Sequence, residues 1–264
     1  MRFFIFSIFF VSFILSSCKK DSETAPSIVI PKVKRLMFVQ GNINNIDFDY
    51  DNQNRVISIK AYFGNSPINV PPSDSIFEYS FSYRGNSLLP EKFGFRHYLQ
   101  GRNEAHFITY NNNNQPIKDS SSTGIIQTYD YQVNFLYKTT AAPLIGPSTG
   151  LIRILNDNYI STESYPIPTY RINYEYDSFT NPLNYLNISP IAFLMNDDIR
   201  VSFSNWSAWS LVGKNNMTKI NYSSGLSYQL SYIYNSQQLP DTRYLFRVFS
   251  NYIDTTDAIK YIYQ

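Results

Sequence analysis

Short blocks of alternating apolar or aromatic residues, each ending in tyrosine, constrain this chain more than any other feature. Six copies read Ile46-Phe48-Tyr50, Tyr79-Phe81-Tyr83, His106-Ile108-Tyr110, Val133-Phe135-Tyr137, Ile172-Tyr174-Tyr176 and Leu230-Tyr232-Tyr234. Pro90, Pro116, Pro143, Pro182 and Pro240 follow the last five copies, and Val56 takes that place after the first. Alternation with a period of two is the pattern of a half-buried strand. Between tyrosine and proline lies turn chemistry, such as Asp51 to Asn54, Arg84-Gly85-Asn86 and Asn111 to Asn114. Asparagine tolerates the left-handed backbone and bonds its own main chain, and proline suits the first residue of a returning strand. Each copy therefore reads as a β-hairpin. A lone hairpin cannot bury its aromatic face, so the copies are expected to pair side by side into one antiparallel sheet.

Composition supports a buried core with little charge around it. The chain carries 23 tyrosines and 20 phenylalanines, and only 16% of its residues are charged. A formal net charge of +2 gives no single-sign field, so no nucleic-acid partner is expected. One cysteine cannot close a disulfide within the chain.

That cysteine has a telling position. Arg2 opens a positive start, and Phe3 to Leu15 form an apolar run. Thirteen residues fall short of the roughly 20 that span a bilayer, but they suit the core of an export signal, which runs to about 7–15. Leu15-Ser16-Ser17-Cys18 resembles the lipobox of bacterial lipoproteins. The resemblance implies diacylglycerol on Cys18, which becomes the mature N-terminus. Residues 1–17 are then the signal, and 18–32 a polar, Pro-containing tether. Lys19-Lys20-Asp21-Ser22-Glu23 is similar to the tag that sends Bacteroidota lipoproteins to the outer face, so the cell surface is favoured over the periplasmic side.

The hairpin pattern resembles the tyrosine-aspartate repeats of bacterial surface and toxin-shell proteins, most closely at Tyr50-Asp51-Asn52-Gln53-Asn54-Arg55-Val56. Two further stretches resemble an uncharacterised domain family of Bacteroidota lipoproteins. They are Asn181-Pro182-Leu183-Asn184 and the run from Lys214 through Tyr234 to Pro240. This resemblance implies an all-β, envelope-anchored domain with no assigned activity, and it brings no catalytic residue. The aspartate after tyrosine is replaced by Arg84, Asn111, Lys138 and Asn235, which puts any role tied to it in doubt.

Few residues suggest chemistry. Asp47, Asp49 and Asp51 share one strand face, but an EF-hand-like calcium loop would need a glycine and a final glutamate that are absent here. His97 and His106 lack a zinc spacing, and His106 reads as a packed or rim histidine. Glu78, Glu91, Glu104, Glu163 and Glu175 are scattered, without the fixed pair a glycosidase needs. No nucleophile elbow, metalloprotease motif or phosphate loop occurs. Trp206 and Trp209, near Asp197 and Asp198, fit either a plug for the sheet's open end or a sugar-binding platform. Asp74-Ser75-Ile76 and Asp254-Thr255-Thr256 resemble a short O-glycosylation motif.

The expectation is one all-β domain, residues 33–264, of repeated antiparallel hairpins in a strongly curved sheet, with a short helix near 189–196. Half-open roll, barrel and sandwich all remain open. The function expected is a non-catalytic lipoprotein of the outer membrane, needing no cofactor or metal. It would meet the membrane through its lipid and bind a glycan or another envelope protein. Glycan capture by Trp206 and Trp209 is one alternative, and a periplasmic hydrolase another.

Overall fold

The computed structural model describes residues 31–38, 45–62, 75–142, 145–165, 171–192, 194–195, 213–248 and 253–264. Among them sixteen strands run in order: β1 (Val33–Phe38), β2 (Asn45–Tyr50), β3 (Val56–Tyr62), β4 (Ser75–Tyr83), β5 (Pro90–His97), β6 (Arg102–Tyr110), β7 (Pro116–Ser121) and β8 (Ile126–Gln132). The second half continues as β9 (Phe135–Ala142), β10 (Ile145–Leu155), β11 (Asn158–Tyr165), β12 (Arg171–Thr180), β13 (Asn215–Tyr222), β14 (Ser227–Tyr234), β15 (Pro240–Val248) and β16 (Ile253–Tyr263). Each strand pairs antiparallel with the next, and β16 returns onto β1, Leu36 facing Tyr261. The sheet is a closed barrel. Closure leaves no edge on which another strand could add.

Every even-numbered strand ends, and every odd-numbered strand begins, at one end of the barrel, called here the near end. Three hairpin turns there are built alike. Asp51, Asn111 and Asn235 each come directly after the strand-ending tyrosine. Their side-chain Oδ1 accepts the amides two and four residues on, at 2.9–3.1 Å: Gln53 and Arg55, Asn113 and Gln115, Gln237 and Leu239. Asn54, Asn114 and Gln238 supply the positive φ that closes each turn. The acceptor is a carbonyl or carboxylate oxygen alike, so asparagine at 111 and 235 does the work of Asp51.

The strand-ending tyrosines point inward and latch sideways. Tyr50 donates to the carbonyl of Val33 (2.7 Å), Tyr83 to Val56 (2.5 Å), Tyr110 to Pro90 (2.7 Å), Tyr176 to Tyr159 (2.7 Å) and Tyr263 to Pro240 (2.6 Å). In each bond the acceptor lies at the start of the odd-numbered strand of the neighbouring hairpin. Burial drives these phenols above their ordinary range, Tyr83 to about 12.

One expectation from the sequence needs correcting. Val133 is not in a strand: Val133 and Asn134 are the two-residue turn between β8 and β9. The inward set is Gln127, Tyr129 and Tyr131, so Phe135 and Tyr137 lie on the outer wall, and Phe135 opens the returning strand without a proline. Another copy differs in the element that succeeds it. Ile172, Tyr174 and Tyr176 do face inward on β12, but Pro182 begins a 3-10 helix instead of a strand. Ser75 opens β4 and is buried, which encloses the hydroxyl of the Asp74-Ser75-Ile76 motif.

Sixteen strands enclose more space than small barrels fill with their own side chains. Here the space is taken up in two ways. Large rings stack across the wall, with Tyr79 and Phe95 centroids 4.8 Å apart and Phe77 edge-on to Tyr79 at 5.7 Å. The connection after β12 then folds into the near end as two 3-10 helices, Pro182–Tyr185 and Ser189–Ile191, the second lying where a short helix was expected. Its Leu183, Leu186, Ile188, Ile191, Leu194 and Met195 are buried in the same cluster as Ile46, Phe48, Tyr79 and Phe93. Asn187 pins this plug to the wall. Its Oδ1 accepts from the Val56 amide (2.9 Å), and its Nδ2 donates to the Tyr83 hydroxyl (2.7 Å) and the Leu88 carbonyl (2.9 Å).

Candidate functional site

Charge on the outer wall is ordered by the strand register. Arg35, Asp47, Lys60, Glu78 and Arg96 lie directly opposite one another on β1 to β5, forming one row of alternating sign. Arg35 meets Asp47 at 2.5 Å, and Lys60 reaches Asp49 at 3.2 Å and Glu78 at 3.7 Å. Elsewhere Arg153 and Arg171 flank Glu163 at 3.4 and 3.3 Å, and Lys219 faces Glu175 at 3.3 Å. Cross-strand pairs of this kind contribute a few tenths of a kcal/mol each, up to ~1. They put charge on the outward face of the wall.

The acidic residues weighed in the sequence for calcium or glycosidase chemistry pair within this lattice. Asp47 binds Arg35, and Asp49 accepts from Ser58 and Lys60. Asp51 is spent on its turn and on Arg55. Glu78 accepts from the Tyr98 hydroxyl at 2.7 Å, and Glu91 lies 3.7 Å from Arg84. Among the described residues no group of three or more His, Cys, Asp or Glu is placed to hold a metal ion.

The inner wall carries a charged cluster that sequence reasoning did not assemble. On β6 the inward positions are Arg102, Glu104, His106, Ile108 and Tyr110, set by pairing with Phe93, Phe95 and His97 on β5. Arg102 grips Glu104 at 2.6 Å and lies over the Phe95 ring. His106 stacks on Phe93 with centroids 4.3 Å apart and ring planes 5° from parallel. Its Nδ1 faces the buried Asp119 carboxylate of β7 at 2.9 Å, and its Nε2 faces Glu104 at 3.7 Å. Tyr129 and Gln127 continue the polar strip on β8, joined by a hydroxyl-to-amide hydrogen bond. The signal for this cluster was present as Arg102-x-Glu104-x-His106, charged residues at period two. It was hidden because Asp119 comes from the next strand.

This arrangement ties β6 to β7 through the His106–Asp119 contact. Both imidazole nitrogens address carboxylates. Ser121, opposite His106 in the register, has its hydroxyl engaged with Thr123 and with the Ile125 amide. His97 is also buried, accepting the Gln100 amide at 3.3 Å; burial and then the Arg102 charge hold its pKa below the ordinary imidazole range. A smaller polar hollow sits between the two apolar clusters, where Arg243 lies beside Tyr232, Tyr261, Asn181, Asn215 and Asn216.

Cys18, Asp197, Asp198, Trp206 and Trp209 lie outside the described residues. The segment bearing the last four leaves and rejoins the wall at the near end. Its two feet are bonded there, the Asn181 amide to the Lys214 carbonyl (3.0 Å) and its side-chain Nδ2 to the Gly213 carbonyl (2.9 Å).

No family model matches the chain, and no curated protein does. Among solved structures it is similar to a porin-like protein from Bacteroides uniformis ATCC 8492, with 9% identity over 88% of this chain and 96% of that one and a TM-score of 0.41. It is also similar to a porin-like protein from Bacteroides vulgatus ATCC 8482, at 11% identity over 89% and 99% of the two chains, with a TM-score of 0.39.

Proposed function

We propose that this protein is a non-catalytic module of the bacterial envelope, a side-chain-filled barrel held at the outer membrane by lipid on Cys18, that binds or bridges other envelope components. The observation that carries this reading is the polarity of the wall. A barrel that crosses a bilayer turns apolar side chains outward and polar ones inward, and a Lys or Arg facing lipid at mid-depth costs about 2–4 kcal/mol. Here Ile46, Phe48, Phe77, Tyr79, Phe93 and Phe95 are enclosed, while Arg35, Lys60 and Arg96 stand outside in a charged row. Such a barrel rests in water and needs a separate anchor. The lipobox-like Leu15-Ser16-Ser17-Cys18 supplies one, fifteen residues ahead of Val33. The plugged near end argues against conduction, because Leu183, Ile188 and Ile191 occupy the space a channel would use.

Metabolic labelling with a fatty acid, read beside membrane fractionation of the wild-type chain and a Cys18→Ser variant, tests the proposal. The wild type should carry label and sediment with membranes, and the variant should do neither. A variant that stays membrane-bound after alkaline carbonate washing would show an embedded barrel and overturn the reading.

A further inference from the structure

Among the described residues, four exposed apolar side chains at the near end fall into two pairs at turn tips, with Ile57 and Ile233 also exposed at strand ends there. Val133, 85% exposed, opens the β8–β9 turn beside Leu155, 50% exposed at the end of β10; the Ile154 amide bonds the Asn134 carbonyl between them. Leu88 is 64% exposed and Tyr185 of the plug 60%, and Asn187, two residues past Tyr185, bonds the Leu88 carbonyl. Cationic groups stand at the same end on Lys34, Arg84 and Lys214, with Glu91 and Asp157 as the acidic neighbours of the last two. Among the described residues the opposite end also bares Leu99, Ile126 and Ile253. What separates the two ends is the chain itself: β1 begins at the near end, where the Gln264 amide bonds the Lys32 carbonyl. Cys18 precedes Val33 by fifteen residues, a reach of at most about 50 Å.

We infer that the near end is a membrane-docking surface, its tips Val133, Leu155, Leu88 and Tyr185 resting in the headgroup layer of the leaflet that holds the Cys18 lipid. The inference rests on the lipoprotein reading for its anchor. Apolar tips of this kind enter a bilayer interface to about 5–10 Å, and their burial adds to whatever a tether supplies. Flanking lysine and arginine are suited to lipid phosphates at that depth. Docking goes no deeper, because the charged row of Arg35, Asp47, Lys60 and Glu78 begins on the wall above. The barrel then stands upright on its plugged end, with the turns at 98–101, 122–125 and 223–226 facing away.

The test couples the mature chain through the Cys18 thiol to a maleimide lipid in vesicles of phosphatidylcholine and phosphatidylglycerol. This tether exists whether or not the cell acylates Cys18. Amide hydrogen exchange should slow several-fold at 133–134, 155–157 and 86–88 on coupling, and stay unchanged at 98–101 and 223–226. Val133→Asp with Leu155→Asp, both at exposed positions, should restore fast exchange at the first two tips with the fold intact. Equal exchange at both ends, or protection of the far turns, would overturn the docking surface. So would the same protection without vesicles at raised protein concentration, since a second copy would then be the occupant. Acylation is read separately from the mass of the chain isolated from membranes, so loss of the anchor reading and loss of the docking surface give different results.

Discussion

The Tyr110 hydroxyl donates to the Pro90 carbonyl across 2.7 Å, joining the last residue of one hairpin's outgoing strand to the first residue of its neighbour's returning strand. Proline contributes only an acceptor, and tyrosine uses it. Removing the donor leaves that carbonyl without its phenol, while the ring still fills its place. Tyr110→Phe is therefore expected to lower stability by about 1 kcal/mol in urea unfolding, without changing the cooperativity of the transition.

These phenols also make stability depend on high pH. Burial raises the Tyr83 phenol to about 12, against the opposing pull of Asn187 and Arg55, whereas an unfolded tyrosine ionises near pH ~10. The folded chain thus retains a proton that the unfolded chain gives up. Its stabilising effect is complete below pH ~10 and is lost as pH climbs toward the folded value. Unfolding midpoints measured across that window should fall with rising pH, and Tyr83→Phe should flatten part of the fall.

Turn chemistry gives a sharper contrast between two substitutions at one position. The Asn235 Oδ1 accepts from the amides of Gln237 (2.9 Å) and Leu239 (3.1 Å). Asn235→Asp keeps that acceptor and should be nearly neutral, whereas Asn235→Ala should cost about 1 kcal/mol. Thermal unfolding of the two variants side by side distinguishes a required acceptor from a required amide.

Asn187→Ala should do more damage than its half-exposed surroundings suggest. It removes three hydrogen bonds at once and leaves the amide of fully buried Val56 without a partner. A loss of about 2–3 kcal/mol is expected. Faster amide exchange confined to 182–192 at low denaturant would show that the plug releases before the wall.

Asp119→Ala removes the carboxylate that His106 Nδ1 faces inside the barrel. Breaking a buried polar pair from one side costs about 3 kcal/mol. Urea unfolding should show that loss, and Asp119→Asn, which keeps one acceptor oxygen, should recover part of it.

How much of this was legible depended on whether a local rule distinguished the faces. Ile46-Phe48-Tyr50, Tyr79-Phe81-Tyr83, His106-Ile108-Tyr110 and Leu230-Tyr232-Tyr234 could be read because turn residues and a subsequent Pro or Val mark where each strand ends. Val133-Phe135-Tyr137 misled because both faces of that hairpin carry aromatics, so alternation alone does not say which is inside. The turn residue Asn134, with φ of 65°, was the better guide. Barrel closure was beyond local reading, because Val33 pairs with Tyr263 and nothing near either one announces the other. The inner-wall cluster failed for a related reason: His106 finds Asp119 only through the register of β6 with β7. Asn187 gave no sign of its role, because Asn181 and Asn184 stand in the same short stretch and nothing local singles out the third amide.

The seam between β1 and β16 has a consequence for how the molecule is made. Its two sides are the earliest and latest strands among the described residues, so every hairpin between them can zip onto its predecessor while the wall is still an open trough of exposed rings. Only when Ile253 to Tyr263 arrives does the trough become a tube. Until then the unclosed chain shows water the surface it will later hide, and this stage of folding is when an escort that shields aromatics would matter most.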